Sequence, residues 1–470
     1  MKPPIPIFMG VYFAAVLCVG IVSRRRMKGL DDFFLAFRRL SGPLVALSLT
    51  ASWFGATSIL VSTDEAFRAG PAALWLVGIP AVTTLLILLG LVRPLRRTAS
   101  LTLPELAEMR YGGTVQRLAS ILIVWYMALL AASQMVALGI FLQTFVGRSY
   151  LECLVLATAV VLIYSLAGGL RSVVATDIIQ CLLLAASLTA LVVFLSDGSA
   201  VAPAAVGVPT VESAGGGGLF VGFGENGLIF LSFVLAWTIS PIALQRIQSA
   251  RDERAARFGL GAAAVMLSLL FGLVLAIGIL SRPLFSGRAL SGPLLSALIS
   301  DRLGPWLGGL LFASVLAAVM STLDTALNAG ALALTKDVFC RLKPIPPERL
   351  MGVSRLATVL MAAAALAVAW RFQSILKTIG LASEIMAEGF FVPGLAMFFV
   401  PQKRPLAGLL GFGLGGGFAV LSFLSASGLL PLSLPVWPHS VPCGLALSVA
   451  GYLCGSFLDR SRQKPAAVNS

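Results

Sequence analysis

Long apolar runs, separated by short polar connections, dominate the pattern of the chain. A run of about 20 apolar residues is long enough to cross the hydrocarbon core of a bilayer. The first run is expected to be retained as a span, because its positive charges follow it and no small-residue cleavage site is present. The runs predict about thirteen transmembrane helices, at about 5–22, 43–66, 71–93, 116–146, 149–169, 172–195, 227–247, 257–281, 305–335, 351–371, 374–400, 406–427 and 440–458.

Composition supports a polytopic membrane protein. Of the 470 residues 58% are hydrophobic and 11% are charged, whereas soluble proteins carry roughly 25% charged residues. The net charge of +14 does not indicate a nucleic-acid partner, because the basic residues sit in short clusters between spans, as the positive-inside rule requires. We expect an integral protein of a bacterial inner membrane, with the N-terminus outside and the C-terminus cytoplasmic. The clusters are Arg24–Arg26 with Lys28; Arg93, Arg96 and Arg97; Arg251, Arg254 and Arg257; Lys403 and Arg404; Arg460, Arg462 and Lys464.

The span at 305–335 carries polar residues in its middle. Ser321, Asp324, Thr325 and Asn328 follow the spacing i, i+3, i+4 and i+7, so they share one helix face. Hydroxyls in membrane helices often only bond back to the carbonyl four residues earlier. An aspartate inside a membrane is costly, however, and marks a functional site by default. The stripe predicts an ion site of hard oxygen ligands.

Chemistry typical of enzymes is missing from the sequence. The single histidine, His439, lies in a proline-rich loop, and six scattered cysteines have no paired spacing. The glycine run Gly215–Gly218 is not followed by Lys-Ser/Thr and is not preceded by a strand, so it is expected to be a flexible linker. We find no nucleophile beside a base. The sequence therefore predicts neither an enzyme nor an organic cofactor.

A linker at 198–226 divides ten spans into two sets of five, 41–197 and 227–402. An extra helix and loop at 1–40 precede them, and two helices with a short tail at 403–470 follow. The two sets start on opposite sides of the membrane, as inverted repeats do. In such transporters the first helix of each repeat is broken at mid-membrane, where substrate and ion bind.

Both first helices contain residues that interrupt a helix. The first has Gly55 among Ser52, Thr57 and Ser58. The other has Pro241 after Thr238 and Ser240, and a proline frees a carbonyl about one turn back. Two interruptions at matching depth predict a shared binding site.

At this point the chain resembles the sodium:solute symporter family. Four motifs carry the resemblance: TLPELAEMRYG at 102–112, YSLAGGLRSVVATDIIQ at 164–180, PIALQRIQSARD at 241–252, and MSTLDTALN at 320–328 with TKD beyond it. The resemblance implies an all-α polytopic fold, the five-plus-five inverted repeat of the leucine-transporter type. Counting the ten spans of the two repeats as core helices 1 to 10, it implies that core helices 1 and 6, the first of each repeat, are broken.

The resemblance also implies a main sodium site. It would use the carbonyls of Ala51, Phe54 and Ala318 with the side chains of Ser321 and Thr322. Oxygens of this kind suit a hard monovalent cation, and unwound backbone supplies them without net charge. The family therefore implies Na⁺ as coupling ion.

A possible second sodium site or ion path would use Asp177, Ser321, Asp324 and Thr325. Asp177 has an alternative role that the sequence supports as well as the ion path. In this alternative it is an acid at a helix N-terminus near the cytoplasmic surface, stabilised by the helix dipole.

Glu384 and Glu388 are unusual, because like charges four residues apart on a helix repel. Either a cation lies between them or one holds a proton. Alternatively, Glu384 lies in an external loop and Glu388 pairs with a basic residue. If both face the pocket, the solute is cationic, and Trp53 or Trp237 could supply a cation–π wall. The candidate substrate residues are Ser52, Trp53, Gly55, Thr57, Trp237, Thr238, Ser240, Glu384 and Glu388.

These observations predict a secondary active transporter that carries a small organic solute with sodium by alternating access. Proton-coupled transport of a cationic solute and a symporter-like membrane sensor module are the alternatives. The expected partners are the solute and the lipid bilayer.

Overall fold

The described part of the chain is a helical bundle. The computed structural model describes residues 4–24, 39–98, 100, 102–197, 219–285, 290 and 292–462. Apart from one bridge between Leu40 and Ala250, the secondary structure of these residues is helical. Among them, nine helices are long and apolar enough to cross a membrane, and a bent pair of shorter helices makes up to ten. The polytopic all-α class predicted from the sequence is therefore confirmed.

The α-helices are numbered in chain order. The first part contains α1 (Pro4–Arg24), α2 (Gly42–Trp53), α3 (Ser62–Ala69), α4 (Gly78–Arg97), α5 (Leu103–Tyr111), α6 (Gly113–Val146) and α7 (Tyr150–Ser196). The middle contains α8 (Leu219–Thr238), α9 (Pro241–Ser249), α10 (Glu253–Leu280), α11 (Leu294–Ala297) and α12 (Pro305–Leu332). The last part contains α13 (Cys340–Leu342), α14 (Pro347–Arg371), α15 (Ile375–Glu384), α16 (Phe391–Phe399), α17 (Pro405–Ala426) and α18 (Val441–Arg462).

Helix α12 forms the centre of the bundle. Every residue from Leu311 to Leu332 is buried, and the helix packs against α1, α6, α7 and α14. Its alanines, glycines and hydroxyl residues let neighbouring helices approach closely, which is how helices associate where lipid supplies no hydrophobic drive. The polar stripe of α12 is therefore enclosed by protein and does not face lipid.

Helix α2 is interrupted where the sequence predicts a break. It ends at Trp53, and Phe54 has φ −96° and ψ 64°, outside the helical region. A π-helical turn over Thr57–Val61 then leads into α3. The Ala56 N–H donates to Gln134 Oε1 on α6 at 2.8 Å, so a side chain replaces the lost helical acceptor.

A second interruption separates α8 from α9. Ser240 is extended (φ −67°, ψ 127°), and Pro241 begins α9, where its missing N–H costs nothing. The Trp237 carbonyl, four residues before the proline, accepts from the Ser240 N–H at 3.1 Å instead. The two helices meet at an angle of 40°.

Two predicted boundaries differ from the structure. Helix α7 is continuous over 47 residues, although two spans are predicted at about 149–169 and 172–195. The glycines at 168 and 169 do not interrupt its backbone, since glycine weakens a helix without removing a hydrogen bond. Helix α8 begins at Leu219, inside the predicted linker 198–226, because apolar residues precede Gly227. Residues 198–218 lie outside the described part.

Candidate functional site

The interruption of α2 lies directly against α12. A Cβ atom placed on Gly55 would be 2.5 Å from Thr322 Oγ1 and 2.7 Å from Gln134 Oε1. Such distances are too short for any side chain, so glycine permits the close approach. Among the described residues, no hydrogen bond reaches the carbonyl oxygens of Ala51 or Phe54. The break therefore leaves backbone acceptors beside a hydroxyl of α12.

The α12 end of the predicted main sodium site is buried and polar. Ser321 is 1% exposed and Thr322 is 6% exposed. Thr322 Oγ1 lies 3.4 Å from the Ala318 carbonyl, a long contact, whereas Ser321 donates to Asp177 Oδ1 at 2.5 Å. Because the serine proton points at the carboxylate, the oxygen lone pairs of Ser321 remain available for a cation.

Asp177 on α7 is the hub of a hydrogen-bonded cluster. Its carboxylate also accepts from Ser48 at 2.6 Å and from Ser52 at 3.5 Å, both on α2. Ser52 and Thr325 join α2 to α12 through a contact of 3.0 Å between their hydroxyl oxygens. Asp177 is fully buried. The alternative of a helix N-terminal acid at the surface does not hold, because Asp177 lies in the interior of α7, far from Tyr150.

Arg246 on α9 completes this cluster. Its side chain is fully buried, and Nη2 pairs with Asp177 Oδ2 at 3.3 Å. The same nitrogen donates to Ser52 Oγ at 3.0 Å and to Thr325 Oγ1 at 3.2 Å. A buried charge needs a partner of opposite sign, so Arg246 and Asp177 hold each other in place. Arg246 is absent from the residues proposed from sequence, although an arginine this close to a mid-span proline break is itself a signal.

Asp324 is engaged separately from this cluster. Ser165 on α7 donates to Asp324 Oδ1 at 2.5 Å. Of the four residues of the expected second ion site, three belong to this cluster: Ser321 donates to Asp177, and Thr325 is joined to it through Ser52 and Arg246. Asp324 contacts a different part of α7 through Ser165, because it lies about 100° around the axis of α12 from Thr325.

A cavity of about 480 Å³, including the open space at its mouth, lies between the two helix interruptions. The predicted substrate residues Ser52, Trp53, Gly55, Thr57, Trp237 and Ser240 line it, together with Thr322. The rings of Trp53 and Trp237 lie 5.9 Å apart, and Trp237 stacks on Phe233 at 4.6 Å. None of the described residues that line the cavity is charged.

Helix α6 contributes lining residues that sequence reasoning missed. Tyr126 and Gln134 both line the cavity. Gln134 is also the acceptor for the freed N–H of Ala56. An amide within an apolar span is a detectable signal, but its partner could not be read from the spacing of residues on a single helix.

Thr238 does not line the cavity, contrary to its assignment from sequence. Its hydroxyl donates to the Val234 carbonyl at 2.7 Å within α8. This is the back-bonding that threonine often makes in apolar helices. The interruption begins one residue later, so Ser240 lines the cavity and Thr238 does not.

Glu384 and Glu388 lie on the face of their helix that packs against α17 and α18. Ser440 and Ser422 donate to Glu384 Oε1, the latter at 3.0 Å. Glu388 packs so closely against Gly444 of α18 that a Cβ there would overlap its carboxyl group. Both glutamates are fully buried, and no basic side chain of the described residues pairs with them. Glu384 and Glu388 therefore lie neither in the cavity lining nor in an external loop, and neither forms an ion pair with a basic residue of the described part. The sequence prediction that they face the pocket is contradicted.

These features together define a class of protein. The described residues form a bundle of apolar helices, with one interruption after α2 and another between α8 and α9, and both interruptions border the same cavity. Interrupted helices around a buried cavity are typical of secondary transporters. The family model of the sodium:solute symporter family matches residues 33–404, and the chain belongs to this family. The resemblance drawn from the four motifs is therefore confirmed.

The chain is similar to curated transporters over most of its length. It is 27% identical to the osmoregulated proline transporter OpuE of Bacillus subtilis, over 77% of each chain. It is 24% identical to the sodium/pantothenate symporter of Escherichia coli, over 95% of this chain and 94% of that protein. These relatives are transporters and not enzymes.

A solved structure supports the fold. The chain matches a Na⁺-coupled sialic acid symporter with a TM-score of 0.76 and 19% identity, over 96% of this chain and 97% of that one. At this identity the match establishes the fold alone.

Proposed function

We propose that this protein is a sodium-coupled symporter that moves a small organic solute by alternating access. Sodium binds between the carbonyls of Ala51 and Phe54 on α2 and the oxygens of Ala318, Ser321 and Thr322 on α12. Bound sodium draws the interrupted α2 against α12 and prepares the neighbouring cavity for solute. The bundle then exposes the cavity to the cytoplasm.

One observation carries this proposal. The interruption at Phe54–Gly55 lies against Thr322, at a distance that no residue other than glycine allows. Unbonded carbonyls and hydroxyls that meet inside a bundle are the neutral oxygen set that a monovalent cation prefers. Sodium then supplies the interactions that the helix break removed from the backbone.

The cavity favours a solute without net positive charge. Its described lining holds no carboxylate, and Glu384 and Glu388 lie elsewhere, so transport of a cationic solute loses its basis. The N-terminus of α9 begins at the cavity, next to Ser240, and a helix N-terminus favours a negative group. We therefore propose a neutral or zwitterionic solute whose apolar part packs on Trp53 and Trp237.

The wider architecture is part of the same proposal. Residues 41–197 and 227–402 would be the two inverted repeats, with α2 and the α8–α9 pair as the broken first helices. Thirteen spans, with the N-terminus outside and the C-terminus cytoplasmic, complete it. A symporter-like sensor would have the same fold, but it would not accumulate solute.

The sodium site can be tested by removing its hydroxyls. We expect Ser321→Ala and Thr322→Ala to raise the half-saturating sodium concentration at least about tenfold. Removing a residue that only orients a metal ligand already lowers metal affinity by about 10–100-fold, and here the ligand itself is removed. The measurement is sodium-dependent thermal stabilisation of the purified protein, because an ion that binds only the folded state raises its stability.

Ser314→Ala is the matched control, since Ser314 lies on the same helix but bonds to Ser187 away from the break. It should keep the wild-type sodium dependence. Unchanged sodium dependence in both test variants would contradict the site.

A screen of neutral and zwitterionic solutes in proteoliposomes, under a sodium gradient and then a pH gradient, separates sodium from proton coupling. Absence of accumulation under both gradients would favour the sensor.

A further inference from the structure

The terminal nitrogen of Arg246 is surrounded by oxygen atoms from three helices. Nη2 lies 3.0 Å from Ser52 Oγ, 3.2 Å from Thr325 Oγ1 and 3.3 Å from Asp177 Oδ2. All of these side chains are buried, and Arg246 and Asp177 are fully so. The nitrogen thus has one carboxylate and two hydroxyls around it, a shell of hard oxygens like that of a bound monovalent cation.

This shell overlaps the residues expected to form a second sodium site. Asp177 and Thr325 contact the guanidinium directly, and Ser321 donates to the other oxygen of the same carboxylate. The expected site therefore already contains a positive charge. A sodium ion bound there would lie close to the guanidinium and would have to share Asp177, the only described carboxylate partner of Arg246. Repulsion between the two positive charges is strong in a low-dielectric interior and opposes such binding.

We propose that Arg246 is a built-in cation that replaces a second sodium ion, so that one sodium ion binds per chain. This inference rests on the proposed function, because it assumes the main site at Ala51, Phe54, Ala318, Ser321 and Thr322. The arginine stays with the protein through the cycle, so each turnover carries the charge of one sodium ion. Arg246 also orients Asp177, which in turn directs the Ser321 hydroxyl, and it is therefore a positioning residue for the main site.

The test is a count of bound sodium. Equilibrium binding of radioactive ²²Na⁺ to the purified full chain is expected to saturate at one ion per chain, with a Hill slope of one. In Arg246→Gln the carboxylate loses its cation, and we expect a second ion to bind, so that the count rises to two. In Arg246→Lys the charge is kept, and the count should stay at one.

The outcomes distinguish this inference from the proposed function. No sodium binding to the wild type would overturn both. Two ions per wild-type chain would overturn the built-in cation and leave sodium coupling intact, and this result does not depend on any variant folding. A count of one in a folded Arg246→Gln variant would also overturn the inference. Adding Thr322→Ala to Arg246→Gln should weaken one of the two sites and leave the new one.

Discussion

Replacing Asp177 with alanine is expected to lower the free energy of unfolding by about 3–5 kcal/mol, the usual cost of leaving one partner of a buried ion pair alone. Arg246 would keep its charge in a fully buried position without its carboxylate. Ser48 and Ser321 would lose their acceptor as well. The measurement is denaturation of the purified protein, followed by tryptophan fluorescence or by loss of monodisperse protein on heating.

A double variant separates the loss of pairing from the loss of packing. Asp177→Leu combined with Arg246→Met removes both charges and keeps similar side-chain volumes, and such replacements of buried pairs are often neutral or stabilising. We expect the double variant to regain most of the stability lost in Asp177→Leu alone, while its sodium affinity stays low because Ser321 is no longer oriented. If the two single-site losses simply added, Asp177 and Arg246 would not be coupled.

The second large effect is expected from Gly55→Ala. The new methyl group would lie 2.5 Å from Thr322 Oγ1 and 2.7 Å from Gln134 Oε1, so the interrupted α2 must move away from α12. Overpacking of this kind costs about 1–3 kcal/mol. If that cost falls on the sodium-bound state, sodium affinity drops by roughly 5–150-fold. Sodium titration of the thermal shift measures it.

Two glycines elsewhere provide controls for this substitution. Gly90 on α4 and Gly261 on α10 are helical, and a Cβ on either would meet no atom within 4 Å. Gly90→Ala and Gly261→Ala should therefore bind sodium as the wild type does and be slightly more stable, because alanine is the better helix former. Wild-type sodium affinity in Gly55→Ala would mean that α2 and α12 need not approach this closely for the ion to bind.

Local pattern alone predicted the apolar helical class and part of the cavity lining. Apolar runs of membrane length predicted the spans, and Gly55 and Pro241 predicted where α2 and the α8–α9 pair are interrupted. Six of the nine proposed substrate residues line the cavity. These successes share a cause: membrane length, missing backbone donors and helical spacing act within one segment.

The sequence by itself determined that polar groups are buried at the middle of the bundle, because hydropathy and helix periodicity are properties of single segments. Only the tertiary structure decided which groups meet. It directed Glu384 towards α17 and α18, inserted Arg246 beside Asp177 and placed Gln134 against the break in α2. A helix presents several faces, and which face meets which neighbour depends on packing between different segments. The contacts named here join residues 38 to 78 positions apart, which no spacing along one helix records.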